Sequence, residues 1–159
     1  MNYFASVIVS LSNKQKKHIN IMEAIYTAVA TNVGGREGHV KSSDGVLDFE
    51  VKKPIEMGGK ESGYTNPEQL FAAGYSACFS GALSHVALLR RLRIQSTVTA
   101  KVSIGKKDEG EGFQLAVEMS VHIPDVDKKT AEELVEAANN FCPYSNAIRG
   151  NVEIKLTVI

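Results

Sequence analysis

The chain has 159 residues, of which 43% are hydrophobic, and this predicts a single domain whose core needs no disulfide staples. Eighteen basic and eighteen acidic residues give a formal net charge of +0, so no overall field draws the chain to nucleic acid or to an anionic membrane. Two cysteines are too few for a secreted disulfide scaffold, and they predict a reducing cytoplasm with thiols that are either catalytic or inert.

The first 21 residues differ from the rest of the chain. Their lysines, at positions 14, 16 and 17, follow a mildly apolar stretch. In a signal peptide the positive charges come before the apolar stretch, so we do not expect secretion. Met22 precedes the first strand pattern and could be the natural start. Residues 1–21 are therefore an upstream extension, a cloning remnant or a disordered tail, and residues 22–159 are predicted to be the domain.

The N-terminal part of this domain is predicted to be a β-meander. Residues 24–31 have strand character, a glycine-rich turn follows at 32–38, and strand residues resume at 39–40. Residues 46–51 alternate between apolar and polar side chains. A loop or lid, rich in glycine, is predicted at 53–65.

A long helix is predicted to begin after Asn66. Its side chain can cap the free amides, and Pro67 suits the first helical position because no donor is lost there. From Leu70 to Leu89 there is no charged residue, a length that would permit a membrane span. Glycines, serines and a histidine lower the hydropathy of this run. We therefore expect no membrane partner, and a helix buried on nearly all sides of a soluble core.

The remaining residues predict a hairpin, a second helix and a closing strand. Apolar and polar side chains alternate over residues 97–104 and again over 113–123, as they do in the two strands of a hairpin with one buried face. Asp127 then begins an amphipathic helix. The proline after Cys142 interrupts this helix and can start a short one, which leaves the thiol beside a helix N-terminus. Residues 151–159 alternate again. The order strand, strand, helix, strand, strand, helix, strand indicates an α+β fold.

The two cysteines are the candidate reactive groups, because a reactive thiol with a partner thiol can cycle between dithiol and disulfide. A thiol attacks as thiolate, so Cys78, in mid-helix, needs a cation or donor from elsewhere. Arg36 is a candidate because its glycine neighbours allow a close approach. Glu68 lies roughly 15 Å along the helix from Cys78, too far for contact, but it can hold Arg36 from the N-terminal end.

Each of these residues also has a purely structural interpretation. A mid-helix cysteine is often an inert core residue, Glu68 can simply complement the helix dipole, and Arg36 can be a solvated turn residue. The four histidines show no metal-ligand spacing with either cysteine, so no metal site is expected. No segment makes a phosphate-binding loop.

Three segments resemble the organic hydroperoxide resistance proteins of the Ohr/OsmC family. In chain order they are GGREGHV at 34–40, NPEQLFAAGYSACF at 66–79 and CPYSNAIRGN at 142–151. The resemblance runs from about residue 22 to 159 and favours the Ohr branch. It implies an OsmC/Ohr-like fold, with antiparallel sheets around two long central helices in an intertwined homodimer.

The resemblance also implies a chemistry for the site. Cys78 would attack the terminal oxygen of an organic hydroperoxide, release an alcohol and become a sulfenic acid, which Cys142 would resolve to a disulfide. Arg36 would stabilise the Cys78 thiolate and orient the peroxide, and Glu68 would orient Arg36. No bound cofactor is implied; a dihydrolipoyl group on a lipoylated protein would be the external reductant. An apolar surround would select organic peroxides over hydrogen peroxide.

Two other classes of function use the same sequence features. A disulfide-based redox sensor would have the same cysteines with slow turnover, and it would need a partner surface or DNA-binding element that the sequence does not display. A non-catalytic stress protein would have inert thiols. Rapid peroxide consumption with a dithiol reductant distinguishes the enzyme from both.

Overall fold

Two three-stranded sheets and one long helix organise residues 22–159, the part of the chain that our computed structural model describes. The predictions for residues 1–21 lie outside the described residues. In chain order the elements are β1 (Ala30–Val33), β2 (Gly38–Ser42), β3 (Asp48–Val51), α1 (Pro67–Leu89), β4 (Thr97–Lys106), β5 (Phe113–His122), α2 (Lys128–Phe141), α3 (Pro143–Ile148) and β6 (Glu153–Val158). Short 3-10 turns occupy Gly35–Glu37 and Ile55–Met57.

The first sheet is the predicted meander, with β2 between β1 and β3 and all pairs antiparallel. The prediction of a strand over 24–31 was wrong, since β1 begins at Ala30 and continues to Val33. A strand needs a hydrogen-bonded neighbour, and β2 ends at Ser42, directly opposite Ala30. Residues 24–29 extend past that end and pair with no strand in the described chain.

The second sheet has the order β4, β5, β6 and carries the core. Strands β4 and β5 pair antiparallel from Thr97 opposite His122 to Lys106 opposite Phe113, which confirms the predicted hairpin. Strand β6 runs parallel to β5, so this sheet is mixed where the resemblance implied antiparallel sheets. The reason is the connection: α2 and α3 form a crossover that lets the chain enter β6 in the direction of β5.

Helix α1 begins where the sequence predicted. The side chain of Asn66 accepts a hydrogen bond of 2.9 Å from the Gln69 amide, and Pro67 occupies the first turn. One face of α1 packs against β4 and α2 and carries the buried residues Tyr75, Phe79, Ala82, Leu83, Val86 and Ala87. The opposite face is exposed at Ala73, Ala77, Gly81, Ser84 and Leu88. The expectation of burial on nearly all sides is therefore wrong for the single chain, because nothing in the described chain covers that second face.

Helix α1 is long and apolar enough, by length and composition, to cross a membrane, the one such helix among residues 22–159. The core helix of a soluble domain passes the same test. Six residues of α1 belong to the hydrophobic core with β5 and α2, and this identifies α1 as a core helix of the domain.

Helix α2 follows its predicted pattern. The Asp127 side chain accepts a hydrogen bond of 3.1 Å from the Thr130 amide and caps the N-terminus. The apolar residues predicted to face the core are all buried, namely Ala131, Leu134, Val135 and Ala138. Helix α2 ends at Cys142, whose amide donates to the Ala138 carbonyl at 2.8 Å, and Cys142 is also the N-cap of α3. The chain therefore turns a sharp corner at this cysteine.

The first sheet lies apart from the core of its own chain. Val51, at the end of β3, is its one buried apolar residue, and the continuous core cluster draws on α1, β5, α2 and Cys142. Large apolar side chains of this segment are exposed, among them Ile25, Tyr26, Val29, Val33 and Leu47. So much exposed apolar surface on a small domain is typical of an interaction face.

Candidate thiol site

The two cysteines meet where α3 packs against α1. The Sγ atoms of Cys78 and Cys142 are 3.5 Å apart and unbonded, so both are free thiols. Cys142 is fully buried, whereas Cys78 is partly exposed. A disulfide bond is about 2.05 Å long, so a small movement of one side chain would close it. The partly exposed Cys78 sulfur is accessible to a reagent from solvent, and the buried Cys142 sulfur lies next to it.

The surroundings of Cys78 act on its thiol in opposite directions. Burial raises the pKa of the Cys78 thiol, the backbone amide of Tyr144 lowers this pKa, and the neighbouring Cys142 raises it further. The net pKa lies above the ordinary value of 9.0. Among residues 22–159 no cation is one of the groups that act on the Cys78 thiol, whereas thiolate chemistry at neutral pH requires a nearby cation or donor.

Aromatic side chains enclose the buried end of the thiol pair. The Tyr75 ring packs edge-on against Phe71 and Phe79, with centroids 5.9 and 6.5 Å away, and lies 6.0 Å from the Tyr144 ring. The Tyr75 hydroxyl and the Ser145 hydroxyl form a hydrogen bond of 2.8 Å, and both residues have no exposed surface. No local sequence pattern distinguishes Tyr75 or Ser145 from the core residues around them.

Arg36 and Glu68 form the second part of the site. Arg36 Nη1 donates to Glu68 Oε2 at 2.8 Å, and Arg36 Nη2 donates to Glu68 Oε1 at 2.6 Å, a two-point contact between planar groups. The Glu68 side chain is 12% exposed and that of Arg36 is 32% exposed. Hydrogen bonds from Arg36 hold the pKa of Glu68 below its usual range, and those to Glu68 raise the pKa of Arg36. This confirms the expectation that Glu68 holds Arg36.

A tight turn presents Arg36. The Asn32 side chain accepts from the Gly35 amide at 2.8 Å and donates to the carbonyls of Gly35 and His39, so one amide braces both ends of the turn. Gly38 has no room for a side chain, since a Cβ there would lie 1.8 Å from the Val33 carbonyl oxygen. Asn32 was missed by sequence reasoning, although an asparagine before two glycines is a usual turn signal.

The structure does not bring the two pairs together within one chain. Glu68 lies in the first turn of α1, ten residues before Cys78, which corresponds to roughly 15 Å along the axis. Arg36 is bound to Glu68 at that end, and no hydrogen bond or ion pair joins it to Cys78 in the described chain. The expectation that Arg36 approaches Cys78 is thus not met inside a single chain.

A cavity of about 550 Å³ opens beside Arg36 and Glu68. Its wall is mixed in character and comes from the first turn of α1, the tip of the β4–β5 hairpin and the residues just before β6. Six lining residues are apolar, namely Pro67, Phe71, Ile104, Phe113, Leu115 and Val152, and five are charged or polar, namely Arg36, Glu68, Lys107, Gln114 and Asn151. Cavities of this size and character accommodate small organic molecules. An organic compound bound in this cavity would lie with one end beside the Arg36 guanidinium.

Among residues 22–159 no group of three or more histidine, cysteine or acidic side chains is placed to hold a metal ion. Two pairs of side chains in this part of the chain are candidates to take part in a reaction, the thiol pair and the arginine–glutamate pair.

Comparison with known proteins gives the site a context. The family model described as "OsmC-like protein" matches residues 58–157. Organic hydroperoxide resistance protein OhrB of Bacillus subtilis is 50% identical over 133 residues, which are 84% of this chain and 97% of that protein. An organic hydroperoxide resistance protein of Xanthomonas axonopodis pv. citri is 46% identical over 136 residues, 86% of this chain and 96% of that protein.

Solved structures agree with these sequence matches. A crystal structure of an organic hydroperoxide resistance protein from Elizabethkingia anophelis has a TM-score of 0.82 and 54% identity, and the match covers 86% of this chain and 98% of that one. The crystal structure of Bacillus subtilis OhrB has a TM-score of 0.80 and 48% identity, with coverage of 86% and 100%. The expected α+β OsmC/Ohr-like fold is confirmed.

Proposed function

Because this chain belongs to the OsmC-like family, as one of its organic hydroperoxide resistance proteins, we propose that it is a thiol peroxidase that reduces organic hydroperoxides to alcohols. The names of its relatives place the family in the response to oxidative stress. One observation carries the proposal: a partly exposed thiol at Cys78 has a second, buried thiol at Cys142 only 3.5 Å away.

In the first step the Cys78 thiolate attacks the terminal oxygen of the hydroperoxide. The O–O bond breaks, the alkoxide takes a proton and leaves as an alcohol, and Cys78 becomes a sulfenic acid. The sulfur loses two electrons and the peroxide gains them. Negative charge develops on the departing oxygen, so a fixed guanidinium stabilises the transition state.

In the second step the Cys142 sulfur attacks the Cys78 sulfenic sulfur. The S–O bond breaks, hydroxide leaves and takes the Cys142 proton as water, and a Cys78–Cys142 disulfide forms. The distance of 3.5 Å between the two sulfurs supports this step, because it lies within the range of a near-attack arrangement.

The cation for the first step comes from a second copy of the chain. Arg36 is bound to Glu68 at the N-terminal end of α1, whereas Cys78 lies in the middle of that helix, so a homodimer is needed to bring the Arg36 guanidinium of one protomer to the Cys78 sulfur of its partner. Two exposed surfaces support such a dimer, namely the small-residue face of α1 and the apolar first sheet. Small residues let two helices approach closely, and an intertwined dimer would bury both surfaces.

The preference for organic peroxides follows from the cavity beside Arg36. Burying an alkyl group against the apolar part of its wall gains free energy, and hydrogen peroxide has no such group. In the dimer this cavity opens next to the cation that serves the partner's thiol, so the alkyl part of the substrate has a place to bind while its peroxide group reaches the sulfur.

The disulfide must be reduced from outside, and we assign this step to a dihydrolipoyl group carried on a lipoylated protein. Cys142 is buried and Cys78 is partly exposed, so an incoming thiolate attacks at Cys78. A narrow dithiol on a long arm suits that access, and its second thiol releases the mixed disulfide. The proposed location is the reducing cytoplasm, where such dithiols are maintained.

Rapid mixing tests the proposal. Reduced protein is mixed anaerobically with an alkyl hydroperoxide and, separately, with hydrogen peroxide, alongside Cys78→Ser and Cys142→Ser. We expect faster consumption of the alkyl peroxide, no reaction without Cys78, and a sulfenic acid that persists without Cys142. Equally slow consumption by all three proteins would mean inert thiols and would refute the proposal. Reaction with peroxide but no turnover with dihydrolipoamide would favour a redox sensor.

A further inference from the structure

The buried hydrogen bond between Tyr75 and Ser145 stands in a regular relation to the two thiols. Tyr75 precedes Cys78 by three residues on α1, and Ser145 follows Cys142 by three residues at the start of α3. Residues three apart on a helix are neighbours on one face. The two segments run in opposite directions, so the sulfur pair and the hydroxyl pair form two adjacent contacts between them, of 3.5 Å and 2.8 Å.

We propose that Tyr75 and Ser145 are positioning residues, whose hydrogen bond holds the corner at Cys142 against α1 and so sets the distance at which the disulfide closes. This inference rests on the proposed function for its role in turnover. The inference goes beyond the proposed function because it names the two residues that position the second thiol, Cys142.

The hydroxyl pair is suited to this role because both side chains are fully buried. A buried hydroxyl that loses its partner costs free energy, so the bond is strongly favoured over any arrangement that separates α3 from α1. Burial also raises the pKa of Tyr75, so its phenol remains a neutral hydrogen-bonding group. Apolar contacts alone would allow α3 to shift slightly along α1, whereas a hydrogen bond of 2.8 Å between the two hydroxyls is lost when they move apart.

On the side that faces α1, the corner is held by apolar packing and by few hydrogen bonds between side chains. Helix α3 has six residues and is joined to α2 by the Cys142 amide, which donates to the Ala138 carbonyl. The Arg149 side chain binds the Asn139 carbonyl, again on α2. Toward α1, the Tyr144 ring lies over Gly74, where an added Cβ would meet its hydroxyl at 3.3 Å. Among the described residues, Tyr75 and Ser145 form the one hydrogen bond between two side chains of α1 and α3 other than the thiol pair, and the Tyr144 backbone amide also faces the Cys78 thiol.

The reaction positioned by this bond is the second step. The Cys142 sulfur attacks the Cys78 sulfenic sulfur, the S–S bond forms, the S–O bond breaks, and water leaves with the Cys142 proton. The hydroxyls of Tyr75 and Ser145 are hydrogen-bonded to each other, and among the described residues neither forms a hydrogen bond with a sulfur. Their loss is expected to slow closure of the disulfide while the attack on peroxide continues.

The test compares Tyr75→Phe, Ser145→Ala and the double variant with the wild-type protein. Each single variant leaves one buried hydroxyl without a partner, whereas the double variant removes both and is expected to recover much of the lost stability. Tyr64→Phe and Ser103→Ala remove hydroxyls from exposed residues outside α1 and α3 and serve as matched controls.

The first measurement needs no peroxide. Equilibration with a glutathione redox buffer gives the effective concentration of one thiol at the other. We expect a drop of about tenfold to a hundredfold in all three variants, because misplacement by about 1 Å has effects of that size. A double variant that regains stability and also the wild-type effective concentration would overturn the inference, because the hydroxyl pair would then be merely structural.

The second measurement follows a single turnover with an alkyl hydroperoxide. A sulfenic acid trap should label the variants more than the wild-type protein, with little change in the rate of peroxide consumption. If wild-type protein does not react with peroxide, the proposed function fails, but the glutathione equilibrium still decides the role of Tyr75 and Ser145. If wild-type protein reacts and every variant closes its disulfide at the wild-type rate, the inference alone is wrong.

Discussion

Arg36 holds Glu68 by two hydrogen bonds of 2.8 and 2.6 Å at the N-terminal end of α1, while Cys78 lies ten residues further along the same helix. An α-helix rises about 1.5 Å per residue, so these side chains cannot meet within one chain. The proposed reaction needs the arginine at the thiol. A second protomer is therefore part of the proposed site.

Mixed dimers provide a direct test of this requirement. Cys78→Ser and Arg36→Gln should each be nearly inactive alone, because one lacks the nucleophile and the other lacks the cation. After co-expression, half of the dimers pair one chain of each kind, and one of their two sites has both Cys78 and Arg36. We therefore expect about a quarter of the wild-type peroxidase rate from an equal mixture. A mixture with no more activity than its parents would show that both residues must come from one chain.

Acid should weaken the contribution of the arginine–glutamate pair to stability. The Arg36 guanidinium holds the pKa of Glu68 below its ordinary value of 4.5 in the folded state. A carboxyl with a depressed folded-state pKa stabilises the fold above the unfolded-state pKa, and this stabilisation is lost as the pH falls through the folded-state pKa. Glu68→Gln should thus lower the free energy of unfolding by about 1 kcal/mol near neutral pH, after a discount for the partly exposed Arg36.

Urea unfolding at several pH values measures this difference. We expect the gap between wild-type protein and Glu68→Gln to stay constant near neutrality and to shrink at pH values below the ordinary carboxyl range. Glu118→Gln is the matched control, because Glu118 pairs with Lys101 at 3.0 Å on an exposed surface and should change stability little. A gap for Glu68→Gln that is unchanged in acid would contradict the assigned charge interaction.

Gly38 should tolerate no side chain. Its φ of −140° is open to any residue, but an added Cβ would overlap the Val33 carbonyl oxygen, so the turn must open to accept it. Gly38→Ala should displace Arg36 and slow the reaction with alkyl hydroperoxide by about tenfold or more. Gly105→Ala is the control, since a Cβ there has no neighbour within 4 Å. Equal rates for both variants would show that the turn is not what positions Arg36.

The cavity beside Arg36 should determine the preference for organic substrates. Phe113 lines it and is 61% exposed at the tip of the β4–β5 hairpin, so it can be changed without opening the core. Phe113→Ser should lower kcat/KM for a bulky alkyl hydroperoxide by roughly tenfold, because apolar contact worth about 1–2 kcal/mol is lost. The rate with hydrogen peroxide should not change.

Ile159→Ser, at an exposed residue that neither lines the cavity nor lies in the first sheet, is the matched control for this experiment. If Phe113→Ser reduces the rates with both peroxides by the same factor, the cavity contributes to the reaction but does not select the substrate.

Features set by neighbours along the chain were predicted well. The Asn66 cap and Pro67 mark the start of α1, and the spacing of Ala131, Leu134 and the other buried residues marks the inner face of α2. These signals work because capping and amphipathic periodicity depend on residues within one or two turns. The resemblance of three segments predicts Cys78, Cys142, Arg36 and Glu68 as the site residues, and their catalytic roles stay a prediction.

Features that depend on long-range packing were not predicted. The start of β1 depends on where β2 ends, and the parallel pairing of β6 depends on the crossover through α2 and α3. The hydrogen bond between Tyr75 and Ser145 joins residues 70 apart in the chain, for which no local pattern exists. Sequence therefore determined the local elements and the chemical groups. Packing alone decided which groups meet, because the distance between two side chains depends on how entire helices and sheets are placed.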